Sequence, residues 1–473
     1  IKDDRKGHVN FEFVDVQLDS DNRIFIDPVV LENATDEWSI KANNCVQSFF
    51  DCLFEALKNN CSDELFDHAH EQNATKLGYG NGQNGKGKTS ILEAISVGLG
   101  GFIAGFSDVS TRHFSKDEIR KVIKLTGDGS CDEIYEVPTE VVLKADINGE
   151  NIEWIRRRTS IKASRSTIQP RKICKVAEEM SVNPDAEYPI LNYQGAGRVW
   201  SQKREKTENV FKKKYSRTAG YIDTLYEASN IKLLLNWCIK MEQISWQKEQ
   251  KIAEYEAVKQ AVADFMSYMN SGGTYEVFYD KQLEDLMYKT EDLVLPVSDL
   301  SSGYQSLIWM VFDIAYRMAI LNPNKRSEVC ATKGIVLIDE IDMHLHPKWQ
   351  WNIIDSLRKT FPNVQFIATT HSPILFASAK DVWIIDIEEA EYQYGYSHYG
   401  MDINTALQAY QNTTQIPEEV QKRVNQFYDA LDEEDYGEAK QILEELEKAT
   451  APDHPTLIQM RTRYEFDTME LRD

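Results

Sequence analysis

Three things are scarce in this sequence. Its seven cysteines are an odd number with no C-x-x-C pair, which argues against a disulfide framework and against a zinc knuckle. Long hydrophobic runs are missing too: the longest, Ile95 to Phe106, is 12 residues and contains Ser96 and four glycines. A membrane-spanning helix needs about 20 apolar residues, so no such span is expected. Positive charge is also short, with 53 Lys plus Arg against 76 Asp plus Glu and a net charge of -23. Bulk attraction to nucleic acid is therefore not expected, and any such contact needs a local basic patch. From Ile1 onward there is no charged-then-apolar leader, and a cytoplasmic protein is expected. What is present is a 473-residue chain, 42% hydrophobic and 27% charged, enough for two or three globular domains.

Periodicity organises the chain. Phe11, Phe13, Val16, Leu18, Ile24 and Ile26 alternate as in strands with one buried face, and Phe50, Leu53, Phe54 and Leu57 take helical spacing. A Gly-rich segment over 78–89 opens into a helix from Thr89 to Leu99, and strands return over Ile134–Ile155 with a turn at Asn148-Gly149. Ser229 to Asn270 is 42 residues without Gly or Pro, read as one helix of roughly 60 Å or two packed helices. From Gly334 the pattern is strand (Ile335–Ile338), helix (Trp349–Thr360), strand (Val364–Thr369), the alternation of a parallel sheet with helical crossovers. Beyond Pro417 three short helices are expected, broken near Gly437 and at Pro452–Pro455, with Ala439, Ile442, Leu443 and Leu446 on a buried face.

Four segments carry chemistry. Gly82-Gln83-Asn84-Gly85-Lys86-Gly87-Lys88-Thr89, followed by Ser90, fits G-x-x-x-x-G-K-[ST]. Its glycines let backbone N–H groups turn around phosphates, Lys88 supplies a point charge, and the Thr89 hydroxyl can ligate Mg²⁺. Ile335 to Ile338 runs into Asp339-Glu340 at the strand's C-terminal edge, where ligands of parallel sheets bind. There Asp339 would hold Mg²⁺ and Glu340 would polarise a water. His371 ends the next apolar strand, where it can reach the γ-phosphate side. Leu300-Ser301-Ser302-Gly303 precedes a helical apolar run, a second anion site best used on the nucleotide of a partner chain. His344-x-His346 invites a metal reading, but no third ligand is apparent beside it.

In this order, these motifs resemble the ATP-binding-cassette ATPases of the SMC and RecF type. The narrower resemblance is to the ATPase subunit (PtuA) of Septu and retron-associated anti-phage systems. It is carried by Ile335 to Gln350, Phe361 to Pro373, Gly98 to Phe106, Tyr193 to Trp200 and Asp453 to Arg463. The resemblance implies an α/β P-loop ATPase head with a helical insertion and a C-terminal helical tail. Its parts would be 1–220 and 296–392 for the head, 221–295 for the insertion and 393–473 for the tail. It makes Asn84, Gly85, Gly87, Lys88, Thr89 and Ser90 the ATP cradle and Thr89 with Asp339 the Mg²⁺ residues. Glu340 becomes the catalytic base, His371 the switch histidine, Ser301 and Gly303 the trans contacts, and Gln194 the loop glutamine. Ser302 and Tyr304 depart from the Gly and the Glu or Gln often found in that signature.

As partners the resemblance implies a second copy, head-to-tail or in a higher oligomer, and an HNH-type nuclease that does the cutting this chain is not expected to do. DNA, or a retron reverse transcriptase–DNA complex, is a further possible partner. A DNA-repair ATPase clamping on DNA would use the same site and stays open as the alternative. An overcoming-lysogenization-type enzyme would need its own nuclease domain, and the residues after His371 lack an acidic nuclease arrangement. Trp154 to Lys175 and Arg198 to Arg217 hold 16 basic residues in an otherwise acidic chain. They are read either as solvated surface or as phosphate-backbone contacts.

Overall fold

Ile335 to Ile338 is apolar at every position, a pattern that suits a strand covered on both faces. It forms the centre of a parallel three-stranded sheet made of β1 (Ile190–Gln194), β2 (Gly334–Ile338) and β3 (Val364–Ala368), in the order β3–β2–β1. The register runs from Gly334↔Ile190 to Ile338↔Gln194 and from Gly334↔Val364 to Ile338↔Ala368. Every residue of β1 and β2 is buried. Parallel pairing brings the three C-terminal ends to one edge, where the backbones of Gln194, Asp339 and Thr369 lie side by side. The computed structural model describes residues 88–125, 131–147, 150–198, 216–227, 231–378, 382–386, 391–394, 399–406, 416–449, 451 and 454–469, with the short strands Phe25–Ile26 and Leu77–Gly78. The expected helix around Phe50 and the phosphate loop before Lys88 lie outside the described residues, as do most of the expected first strands.

Helix α1 (Lys88–Ile103) opens where the sequence places it and covers one face of the sheet. Against a separate antiparallel hairpin it packs closely enough that a Cβ on Gly98 would fall 1.9 Å from Leu143 Cδ1, and one on Gly101 would fall 2.4 Å from Trp154 Nε1. The run without Gly or Pro is two helices, α2 (Ile231–Lys248) and α3 (Ala253–Met269), parted at Glu249, which takes φ +49°. Trp237 of α2 meets Tyr255 of α3 and Tyr316 of α4 (Ser302–Leu321) edge-to-face, at 5.5 and 5.3 Å. After α3 the chain turns to strands, Glu276–Asp280, Asp285–Lys289 and Val294–Pro296, which pair antiparallel. The single helix expected over Trp349–Thr360 is likewise two, Pro347–Gln350 and Ile353–Thr360.

Strands Thr139–Ile147 and Glu150–Arg158 form the expected hairpin, with Thr167–Gln169 added to its edge. Here part of the basic stretch is accounted for by the core. Arg156 is fully buried, donating to the carbonyls of Arg112 and Gly100, and Arg158 donates to those of Phe114 and Ile161 at 2.7 and 2.8 Å. These guanidiniums satisfy backbone carbonyls and are not available to phosphates. Lys162, Arg165, Arg171, Lys172 and Lys175 are exposed. Residues 199–215 of the second basic block lie outside the described residues.

Contacts divide the chain into two units, Ile1–Gly400 and Met401–Asp473. The second holds the three expected helices, Glu418–Asp432, Tyr436–Ala449 and Pro455–Met469. Their core joins Phe427, Ala439, Ile442, Leu443, Leu446, Leu457 and Met460. The break falls before Gly437, not at it: Glu434 takes φ +61°, and Asp435 Oδ1 accepts from the N–H groups of Gly437 and Glu438 at 3.1 and 2.9 Å. Asp435 thus caps the helix in which Gly437 sits. Among the described residues no helix is long and apolar enough to cross a membrane.

Candidate active site

The edge where the parallel strands end is built around Asp339, which is almost fully buried. Its Oδ2 accepts from Thr89 Oγ1 at 2.7 Å and its Oδ1 from Thr369 Oγ1 at 2.6 Å. Its N–H donates to Gln194 O at 2.8 Å, extending the ladder one residue past β2. Thr369 Oγ1 also accepts from the Glu340 N–H at 2.9 Å, so one hydroxyl holds both acidic positions. Glu340 takes φ +46°, a conformation that costs a non-glycine residue on the order of 1 kcal/mol or more. Burial first, then Asp339 and Asp342, hold the Glu340 carboxyl above the ordinary carboxylate range.

On the other side of Thr89, Lys88 Nζ lies 2.5 Å from His371 Nε2. Burial, then the Lys88 charge, pull the imidazole below its ordinary range and favour its neutral form. Asp342 steadies this segment, accepting from the Thr370 hydroxyl and from the His371 N–H at 3.3 Å. Lys88, Thr89, Asp339, Glu340 and His371 are therefore gathered in one place from three separate segments. Thr89 and Ser90 are exposed at the start of α1. Asn84, Gly85 and Gly87 lie outside the described residues. The paired hard oxygens of Thr89 and Asp339 suit Mg²⁺, which prefers oxygen ligands and keeps several waters.

Gln194 is not brought to this group. Side chains alternate along β1, so Tyr193 faces the side on which α1 lies and Gln194 faces α4. Gln194 Nε2 donates to Asn192 Oδ1 at 2.7 Å and to Asp313 Oδ2 at 2.9 Å. Asp313 in turn receives Arg317 Nε at 2.9 and 3.0 Å, forming a buried polar cluster on α4.

Ser301 occupies the N-cap of α4 without making a capping hydrogen bond through its side chain. Gly303 is buried, and a Cβ there would fall 2.6 Å from the His344 carbonyl oxygen. His344 itself takes φ +64°. The two histidines have structural work: His344 brings its carbonyl against the α4 terminus, and His346 Nδ1 accepts from the Lys348 N–H at 3.2 Å. Among the described residues no group of three or more His, Cys, Asp or Glu could hold a metal ion. Tyr304 packs edge-to-face on Trp349 at 4.5 Å, so this departure from the signature serves packing within the chain.

Two residues of the site were missed by sequence reasoning. Thr369 looked like the end of a strand, yet it fastens both carboxylate positions. Arg198 looked like part of a basic stretch, yet it is buried beneath the Asp339–Glu340 turn. It donates to the carbonyls of Asp339 at 2.8 Å, Glu340 at 3.2 Å and Gly195 at 3.2 Å. Burial pulls its guanidinium down to about 10. The only available signal was its place in Tyr193 to Trp200, one of the segments that carry the resemblance.

This arrangement of a lysine, a hydroxyl–carboxylate pair and a following acid at a parallel-sheet edge suits nucleotide hydrolysis. Residues 150–376 match the family described as AAA ATPase domain, and residues 4–116 match a domain of unknown function (DUF8370). The first match, with relatives named ATPases, supports ATP hydrolysis by this chain. It is 27% identical over 360 residues to the retron Vc95 probable ATPase of Vibrio cholerae serotype O1 biovar El Tor, covering 66% of this chain and 69% of that one. To the retron Ec83 probable ATPase of Escherichia coli it is 28% identical over 387 residues, covering 68% of each. To the Septu protein PtuA of Bacillus mycoides it is 25% identical, covering 67% of this chain and 37% of that one. Among solved structures, an SMC head bound to the C-winged helix domain of ScpA is similar at 18% identity and a TM-score of 0.36, covering 66% of this chain and 91% of that one.

Proposed function

We propose that this ATPase works with Mg²⁺ between two head-to-tail copies, and that its cycle controls a partner nuclease in anti-phage defence. The observation that carries the reading is the meeting of Lys88, Thr89, Asp339, Glu340 and His371 at one sheet edge. Lys88 addresses the outer phosphates and Thr89 with Asp339 holds Mg²⁺, which would neutralise phosphate charge. Glu340, kept close by Thr369, orients the attacking water and accepts its proton. His371, neutral beside Lys88, contacts the γ-phosphate side. Ser301, whose hydroxyl does not cap α4, serves the neighbour's nucleotide together with the α4 terminus. The retron and Septu relatives support the defence role, and the HNH-type nuclease rests on the motif resemblance to that family.

The head-to-tail reading has a direct test. Ser301→Arg is expected to block hydrolysis while leaving Lys88-dependent nucleotide binding intact, and mixing it with Lys88→Ala is expected to restore at most one composite site per dimer. Normal hydrolysis by Ser301→Arg alone would sink the arrangement. A Gly303 substitution is a poorer probe, because a side chain there meets the His344 carbonyl of its own chain. The exposed cations Lys162, Arg165, Arg171, Lys172 and Lys175 favour a second reading, a DNA clamp, and ATPase stimulation by duplex DNA would support it.

A further inference from the structure

We propose that Arg198 is a positioning residue that ties α4 to the backbone of Glu340, so that movement at the Ser301–Gly303 end of α4 is passed to the carboxylate. The proposal rests on the reading of Glu340 as base and of Ser301–Gly303 as the trans contact. One edge of the guanidinium faces the helix: Arg198 Nε donates to Ser306 Oγ at 3.0 Å. Its other groups face the turn, Nη1 donating to Asp339 O at 2.8 Å and Nη2 to Glu340 O at 3.2 Å. Ser306 is buried and stands three residues beyond Gly303, in the first turns of α4. A planar, rigid fork of donors transmits displacement between its two edges better than a flexible ammonium would.

The turn that it holds is poised to respond. Glu340 has a left-handed backbone, fastened on one side by its N–H to Thr369 Oγ1 at 2.9 Å and on the other by its carbonyl to Arg198. A shift of the carbonyl must therefore rotate the residue and its carboxylate. A small cavity lined by Gln194, Arg198, Leu234, Ser306, Trp309 and Asp313 borders the Ser306–Arg198 contact, giving the contact room to move. Displacing a reacting group by about 1 Å can cost roughly a hundredfold in rate without changing substrate binding.

The full-length chain with MgATP provides the test, comparing Ser306→Ala, Arg198→Lys, their combination and Glu340→Gln. Ser306→Ala removes only the helix side of the tie and is expected to fold as wild type. It should lower kcat by about tenfold with KM within about twofold. Arg198→Lys should do the same, and the combination should be no worse than the worse single variant, because both break one connection. Wild-type kcat in Ser306→Ala overturns the proposal. So do losses that multiply in the double variant, or a fall in kcat that tracks a fall in melting temperature and a rise in KM. Glu340→Gln separates the layers: if it hydrolyses ATP within about twofold of wild type, the base assignment fails and the tie fails with it. If it is inactive while Ser306→Ala is normal, only the tie fails.

Discussion

Glu93 stands one helical turn beyond Thr89 on α1, half-buried beside Arg112, Glu118 and Asp339. Burial, then Glu118, push its carboxyl up from 4.5 to about 7. The folded chain therefore holds a proton there that the unfolded chain has released between those values. Stability from this group is fully present below 4.5 and is lost as pH rises through about 7. Glu93→Gln is expected to raise the melting temperature at pH 8 and to narrow the gap between pH 5 and pH 8. An unchanged gap would show that Glu93 titrates as an ordinary surface acid. At this scale the sequence was legible where residue type and spacing suffice: Lys88, Thr89, Asp339, Glu340 and His371 were all named from motif order, and the structure brings them together. Gln194, Arg198 and Thr369 were misjudged or missed because burial and the direction of a side chain decide what they touch. An arginine bonded to carbonyls beneath a turn and one in solvent look the same in sequence.

At the scale of elements, α4 carries a buried polar cluster beside the site. Asp313 binds Arg317, Asn192 and Gln194 with no solvent to replace any of them. Removing one member of a buried ion pair strands the other, at a cost of about 3–5 kcal/mol. Asp313→Ala is expected to lose about that much in equilibrium denaturation, whereas Asp313→Leu with Arg317→Met should lose clearly less. Equal losses would mean that packing volume, not the stranded charge, sets the cost. Strands β2 and β3 were readable because an apolar run at a parallel-sheet centre has few other uses. The break between α2 and α3 was not, since Glu249 leaves the helix at φ +49° without the Gly or Pro that usually marks a stop. The same holds for the split at Trp351, and for the cap that Asp435 rather than Gly437 supplies.

At the scale of the whole molecule, the 401–473 unit has its own apolar core, 16 acidic against 7 basic residues from Pro417 onward, and none of the residues assigned to ATP. Its charge repels DNA and suits a protein partner. A chain ending at residue 416 is expected to keep ATP hydrolysis and to lose capture of the proposed HNH-type nuclease in a pull-down. Full-strength capture would remove the docking role. The account as a whole stands on ATP being hydrolysed at the Asp339–Glu340 edge. Steady-state hydrolysis by Glu340→Gln, measured beside nucleotide binding by the same preparation, tests this most directly. The amide cannot accept the water's proton, so turnover should fall by at least about a hundredfold while binding persists. A rate within about twofold of wild type, only roughly 0.4 kcal/mol of barrier, would contradict it.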